Sequence, residues 1–250
     1  RSLQHRYGTH DVFEDISLTI EQGERIAVVG PSGCGKSTLM RLCSELEAAC
    51  NGHVALNSNC ASVVFQDPCL LPWKKADVNI ALGLRARGWK HRESLVAARH
   101  AAERFGLSKN DMRKYPHELS GGMRCRCSLA RAFVIEPDLI FLDEPFSALD
   151  VGLKQECHAH LQALTKTAFF IITHDLMEAI KLADKVYFMS SHCVGWTAIY
   201  ENDLSAHDRK SDYALHVKTA EWLSRSEINQ CFRLNSPTTS YNSNSQKNCT

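Results

Sequence analysis

A glycine-rich turn that follows a short apolar run constrains this chain more than any other feature of its sequence. The turn reads Gly-Pro-Ser-Gly-Cys-Gly-Lys-Ser-Thr over residues 30–38, and the apolar run occupies residues 26–29. Glycines allow successive backbone N–H groups to converge on an anion, and a helix that starts at the turn adds the positive end of its dipole. A chance match on a flexible turn fits poorly, because a strand and a helix are both in place. The turn therefore predicts a nucleotide phosphate site.

We call residues 30–38 the phosphate loop. Lys36 is predicted to reach the β- and γ-phosphates, and the Ser37 hydroxyl to ligate Mg²⁺. The residues predicted to contact the nucleotide here are Gly30, Pro31, Ser32, Gly33, Cys34, Gly35, Lys36, Ser37 and Thr38.

Two adjacent carboxylates follow a fully apolar run later in the chain. Residues 139–142 read Leu-Ile-Phe-Leu, as expected of a strand buried on both faces, and Asp143 and Glu144 come next. Nucleotide sites lie at the carboxyl ends of parallel strands. Asp143 is therefore predicted to hold Mg²⁺, and Glu144 to polarise the attacking water as a general base. The alternative, two acids that cap a strand end in solvent, is disfavoured by the four apolar residues before them.

A third candidate is the start of a helix rich in Arg and Ala. Ser120 is a favourable N-cap, and the two glycines after it allow an anion to approach the backbone closely. Alone, this segment is equally well explained as an ordinary helix start. Its position ahead of the paired carboxylates favours a functional role.

Taken in order, these motifs resemble those of the ATPase subunit of ATP-binding-cassette (ABC) transporters, over about residues 3–190. The matching motifs are Walker A at residues 30–38, a Q-loop at Gln66, the signature at residues 119–123, Walker B at residues 139–144, a D-loop at residues 147–150 and a switch histidine at His174. Six motifs in the family's order make a chance match negligible.

The resemblance implies ATP and Mg²⁺ as ligands and assigns further roles. Gln66 matches the residue that contacts Mg²⁺ and the attacking water, and His174 the residue that hydrogen-bonds the γ-phosphate. Tyr7 matches the aromatic residue that stacks on adenine, with Phe13 as the alternative. The implied catalytic residues are Lys36, Gln66, Glu144 and His174. The implied metal ligands are Ser37, Gln66 and Asp143.

The resemblance also implies a second copy of the chain as a partner. Two chains would close head to tail on two ATP molecules. The residues that would contact the γ-phosphate held by the other copy are Ser120, Gly121 and Gly122.

Two further segments resemble one subgroup, the bacterial importers of nitrate, sulfonates and taurine. They are residues 65–73, which read Phe-Gln-Asp-Pro-Cys-Leu-Leu-Pro-Trp, and residues 79–84, although polyamine, molybdate and sugar importers share much of this pattern. This kinship implies uptake of a small anion through a separate permease, with a periplasmic solute-binding protein as an indirect partner. It also implies a peripheral position on the cytoplasmic face of the bacterial inner membrane. The alternative is a soluble ABC ATPase that is not linked to transport.

The order of elements predicts an α/β fold with a mostly parallel core sheet. We expect an N-terminal antiparallel β-subdomain and a helical subdomain inserted at about residues 70–135. The ABC domain is predicted over residues 1–235, with a C-terminal extension at 191–235 and a disordered tail at 236–250. Strands are also predicted at residues 16–20 and 53–56, and the helix after the phosphate loop is predicted to end near Asn51 and Gly52.

Composition limits the remaining classes of function. A formal charge of +1 gives no support for a nucleic-acid partner, and we find no apolar run near 18 residues and no signal peptide. The 11 cysteines are scattered and are expected to be free thiols. Cys125 and Cys127 are better explained as small buried apolar residues than as metal ligands.

Overall fold

A computed structural model describes residues 1–190 and 195–231 of the chain. Its strands are β1 (Leu3–Tyr7), β2 (His10–Ile16), β3 (Arg25–Val29), β4 (Ala61–Val64), β5 (Leu139–Asp143), β6 (Ala168–Thr173), β7 (Lys185–Met189) and β8 (Trp196–Glu201). Its α-helices are α1 (Lys36–Cys43), α2 (Ala76–Ile80), α3 (Leu82–Ala86), α4 (His91–Arg104), α5 (Gly121–Phe133), α6 (Val151–Ala163), α7 (Leu176–Leu182), α8 (Asp212–Leu223) and α9 (Ser226–Cys231).

The large sheet of the described chain has the strand order β4-β5-β6-β3-β7-β8. All its neighbouring strands are parallel except β7 and β8, which pair antiparallel. β1 and β2 form a separate antiparallel pair. The central strands carry apolar runs because helices cover both faces, and β5 and β6 are buried at every residue. The predicted fold class, a mostly parallel sheet with a small antiparallel sheet and helices, is confirmed.

Helices α2 to α5 lie between β4 and β5 in the chain. Small residues allow α4 to approach α5 closely, since Ala98, Ala101 and Ala102 are fully buried there. The predicted domain bounds, namely 1–235, 70–135 and 191–235, stay predictions. The predicted disordered tail at 236–250 lies outside the described residues. None of the helices within the described ranges is long and apolar enough to cross a membrane.

The helix after the phosphate loop is shorter than predicted. α1 ends at Cys43 rather than near Asn51, because the backbone of Glu45 turns into the left-handed region with φ 58°. The Leu46 N–H then donates to the Arg41 carbonyl and closes the helix end. Leu46 therefore lies outside the helix, and it is 57% exposed.

Two predicted strands are absent from the described chain, and one strand was not predicted. Residues 17–20 and 53–56 have no strand partner, although Leu18 and Leu56 pack partly against the core. Their alternating pattern therefore reflects loops with one side on the core. The unpredicted strand is β8, an edge strand.

Candidate functional site

The phosphate loop joins β3 to α1 in a backbone conformation that requires glycine. Gly33 and Gly35 have φ of 82° and 99°, and Gly35 is the N-cap residue of α1. A Cβ on Gly30 would lie 2.3 Å from the Met189 carbonyl oxygen. Within the same loop, Ser32 is exposed, whereas Pro31, Ser37 and Thr38 are half-buried. The loop is thus held tightly on its β7 side and open at Ser32.

Lys36 is a buried cation whose hydrogen-bond partners in the described chain are two backbone carbonyls and, at 3.9 Å, the Cys34 thiol. Its side chain is 6% exposed, and Nζ donates to the Gly30 carbonyl at 2.9 Å and to the Pro31 carbonyl at 2.7 Å. Among the ion pairs of the described residues, none includes Lys36. Burying an ammonium group without an anion is costly. The loop therefore fits an anionic ligand such as phosphate.

The phosphate loop also contains a cysteine, Cys34. It is 6% exposed, and its Sγ lies 3.9 Å from Lys36 Nζ. Burial raises the pKa of the Cys34 thiol, and the nearby Lys36 charge only partly opposes this. The thiol is therefore a packing group of the loop.

Asp143 lies at the carboxyl end of β5, with the Ser37 hydroxyl beside its carboxylate. It is 6% exposed, and burial raises its pKa although the Ser37 hydroxyl and Lys36 oppose this. A hydroxyl and a carboxylate side by side supply the oxygen ligands that Mg²⁺ prefers, and this ion takes its other ligands from water and substrate phosphates. Residues 1–190 and 195–231 contain no cluster of three or more His, Cys, Asp or Glu that could enclose a metal. The site therefore fits Mg²⁺ and no dedicated metal cage.

Glu144 occupies a strained backbone position with a carboxylate between two predicted site residues. Its φ is 44°, which its N–H supports by donating to the Ile172 carbonyl at 2.9 Å. Gln66 Nε2 lies 3.4 Å from one carboxylate oxygen, and His174 Nδ1 lies 3.3 Å from the other. The structure thus brings Gln66, Glu144 and His174 together.

The signature segment is an ordinary capped helix start in this chain. Ser120 caps α5 by accepting from the Met123 N–H at 3.3 Å, and Gly121 is exposed. A Cβ on Gly122 would lie 3.3 Å from the Ala148 carbonyl oxygen of the D-loop. No hydrogen bond or ion pair within the described ranges joins residues 120–122 to the phosphate loop. The two segments are also anchored in different clusters of the hydrophobic core.

The two candidates for adenine stacking differ in exposure. Tyr7 is 47% exposed, with its hydroxyl donating to Glu47 at 3.0 Å and its ring edge against His5. Phe13 is 1% exposed and packs beside Gly35. A buried ring offers no face to a base, so Tyr7 is the remaining candidate of the two.

Eight cysteines are free thiols, as expected, namely Cys34, Cys43, Cys50, Cys60, Cys69, Cys125, Cys127 and Cys157. Cys125 and Cys127 are 7% and 0% exposed, and Cys125 Sγ donates to the Pro145 carbonyl. Burial raises the pKa of Cys127 to about 12, so its thiol stays protonated. Both residues act as small packing groups. Cys193 and Cys249 lie outside the described residues.

One buried group of polar residues beside the site was missed in the sequence. His158 on α6 contacts Glu178 on α7 through Nε2 and a carboxylate oxygen at 3.0 Å. The other oxygen of Glu178 accepts from the Thr173 hydroxyl at 2.6 Å. Glu178 lies four positions after His174, but no local pattern in the sequence connects it to His158, so only the fold shows the pair.

The chain is similar to known ABC transporter proteins over most of its length. A family model described as "ABC transporter" matches residues 13–147. The aliphatic sulfonates import ATP-binding protein SsuB of Albidiferax ferrireducens is 41% identical over 198 residues, 74% of this chain and 68% of that protein. The protein of the same name from Yersinia pestis is 38% identical over 234 residues, 90% of this chain and 83% of that protein. The predicted kinship with the sulfonate group of importers is confirmed.

The fold also matches solved structures. The dimeric structure of MJ0796, a bacterial ABC transporter cassette, has a TM-score of 0.76 at 23% identity and covers 82% of this chain and 98% of that one. A post-hydrolysis dimer of the same cassette, bound to ADP and Pi, has the same TM-score at 22% identity. With the motif order, the family model and these relatives in agreement, the chain belongs to the ABC transporter family as a nucleotide-binding ATPase.

Proposed function

We propose that this chain hydrolyses ATP to drive import of a small sulfonate-like anion through a separate membrane permease. The substrate class follows from the relatives, which are named for import of aliphatic sulfonates. The single observation that carries the hydrolysis step is the Glu144 carboxylate, held between Gln66 and His174 at the carboxyl edge of the sheet. That edge also carries the phosphate loop, at the end of β3.

Each group then has a stated task in the reaction. Lys36 would exchange its two carbonyl partners for the β- and γ-phosphates of ATP, a stronger partner for a buried ammonium. Ser37, Asp143 and Gln66 would hold Mg²⁺, which neutralises developing phosphate charge when bound. Glu144 would accept a proton from the attacking water. His174, 64% exposed beside Glu144, would hydrogen-bond the γ-phosphate.

The exposed signature segment needs a second copy of the chain. Residues 120–122 would face the γ-phosphate bound by the phosphate loop of the other copy. The exposed Gly121 leaves the first N–H groups of α5 open to such an anion. The MJ0796 cassette, which has the same fold, is dimeric.

The permease would contact the loop after Gln66. Trp73 is 67% exposed, whereas Leu70 packs partly against the core. An exposed tryptophan beside the Q-loop suits an interface with a membrane partner. The chain would then lie on the cytoplasmic face of the inner membrane, with a periplasmic solute-binding protein as an indirect partner.

Replacing Glu144→Gln tests the hydrolysis step. We expect ATP turnover to fall by about 100-fold or more, because the proton acceptor is lost while its shape is kept. ATP binding should persist, and an ATP-bound dimer should accumulate in size-exclusion chromatography. The exposed Glu156 provides a matched control, since Glu156→Gln should leave turnover unchanged. Turnover that survives Glu144→Gln would contradict the general-base role.

A pull-down separates transport from the alternative, a soluble ABC ATPase. Recovery of a polytopic membrane protein, with loss of binding in Trp73→Ala, would support the transport function. Recovery of ribosomes or DNA instead would refute it.

A further inference from the structure

A buried polar network lies behind the catalytic edge and has no assigned role. Its members are nearly inaccessible, with His158, Thr173 and Glu178 exposed by 4%, 2% and 6%. Since the Glu178 carboxylate can only accept, His158 donates through Nε2. Lys154 adds a charge, with Nζ 3.6 Å from Glu178 and 3.0 Å from Asp175.

One end of the network fixes the backbone on both sides of His174. The Thr173 hydroxyl donates to Glu178 and accepts from the Asp175 N–H at 3.1 Å. The Asp175 carboxylate in turn accepts from the Glu178 N–H at 3.2 Å and caps α7. Both neighbours of His174 are therefore tied to Glu178.

The other end reaches the segment that follows Glu144. The His158 ring lies edge-on to the Phe146 ring, with centroids 4.8 Å apart, and Phe146 is two residues after Glu144. α6, which carries His158, begins at the D-loop residue Asp150, whose side chain caps it. The network thus contacts both segments that meet at the 3.3 Å pair between Glu144 and His174.

Packing alone does not explain charged and polar groups at this place. Burying a carboxylate carries a large desolvation cost, and apolar side chains of similar volume often fill such space with equal or greater stability. Fixed hydrogen bonds, by contrast, select one arrangement of two elements. We propose that His158 and Glu178 are positioning residues that set the approach of His174 to Glu144, an inference that rests on the proposed function.

The first test replaces the donor of the network. His158→Leu should lower kcat for ATP about 10-fold, because small displacements of catalytic groups are costly, while KM for ATP changes by less than about twofold. His158→Gln should return kcat to within about twofold of the parent, because its amide N–H₂ can still donate to Glu178. Should His158→Leu fail to fold, Thr173→Val removes the neighbouring hydrogen bond at nearly constant volume and should lower kcat similarly.

Gln162 offers a matched control on the same two helices. Its side-chain amide donates to the Lys181 carbonyl at 3.1 Å, so it also links α6 to α7, but near the carboxyl ends of both helices and without a bond to Thr173, Asp175 or Glu178. Gln162→Leu should lower the melting temperature without lowering kcat. An equal loss of kcat in Gln162→Leu would contradict the proposal, because it would show that the network only stabilises the packing of α6 on α7.

A double-mutant cycle with His174→Ala decides whether His158 acts through His174. If it does, adding His158→Leu to His174→Ala should lower kcat by less than about twofold further. A full additional 10-fold loss would overturn the proposal. The failure of the proposed function would look different, because Glu144→Gln would then keep its ATP turnover. If Glu144→Gln is inactive but His158→Leu has the kcat of the parent, the positioning role alone is refuted.

Discussion

The phosphate loop and the signature segment are both glycine-containing helix starts. They differ in how completely the chain itself supplies partners for their polar and charged groups. The phosphate loop holds a buried lysine on two carbonyls and glycines at positive φ. The signature segment has a satisfied N-cap at Ser120 and an exposed glycine in helical conformation. The phosphate loop carries the desolvation cost of a buried ammonium, which an anionic ligand would reduce. The signature segment carries no such cost.

This difference separates two kinds of site. A buried ammonium held by uncharged groups marks a place where one chain alone can bind an anionic ligand. An exposed helix start whose N-cap is already hydrogen-bonded becomes a binding site only when another molecule holds a ligand against it. In the proposed ATP site, a single chain therefore supplies one half as a preformed loop and the other half as an exposed helix start.

The largest expected effect is at Lys36. Lys36→Met should weaken ATP binding roughly 100-fold, because removing one partner of a buried charge pair typically costs several kcal/mol. Without ATP, the fold should be no less stable, since a buried ammonium without a carboxylate in direct contact is removed. Calorimetric titration and thermal melting measure the two quantities. Lys185→Met is the control, because Lys185 pairs with Glu24 at 2.8 Å and should not affect ATP affinity. Unchanged ATP affinity in Lys36→Met would remove the distinction between the two segments.

A smaller and more selective effect is expected at Gly121. The nearest atom to a Cβ placed there is Arg124 Nη2 at 4.0 Å, so Gly121→Ala should fold normally. ATP binding by single chains should stay within about twofold, while turnover falls about 10-fold, because the methyl group faces the other copy's phosphate. Gly152→Ala, on the first turn of α6, should change neither quantity. Equal loss of ATP binding by monomeric Gly121→Ala would place the segment in its own chain's site.

The smallest effect concerns the cap itself. Ser120→Ala should lower the free energy of unfolding by about 1 kcal/mol, the usual cost of losing an N-cap. Ser211→Ala removes the equivalent cap of α8 and should cost a similar amount. Only Ser120→Ala should also lower turnover, which steady-state assays on both variants would show. Equal turnover in both variants would leave Ser120 with a capping role alone.

The local half of the site could be predicted from the sequence because its residues are contiguous. The phosphate loop needs glycines, lysine and serine at fixed spacing, and β5 needs an apolar run before Asp143. The meeting of Gln66, Glu144 and His174 came only from the family resemblance. The contact between His158 and Glu178 was not predicted at all, because only the packing of α6 on α7 brings the two residues together.

Element ends were predicted less well, for physical reasons visible in the structure. α1 stops at a left-handed glutamate, Glu45, a residue that carries no stop signal of the kind glycine provides. β8 is an edge strand with partly exposed residues, so its apolar pattern is weak. The alternation at residues 16–20 marked a loop that lies along the core.

The central position of β3 has a consequence for the order in which the molecule can assemble. In the described part of the chain, β3 pairs with β6 and β7 alone, which begin at Ala168 and Lys185. A nascent chain therefore carries its phosphate loop long before either neighbour is synthesised. Helices α2 to α5 contact one another over shorter separations in sequence, so these contacts can form before β6 and β7 are synthesised. ATP, which requires the loop held by its strand, would stabilise the completed sheet over every shorter chain. We therefore expect ATP binding to distinguish the completed sheet from shorter chains.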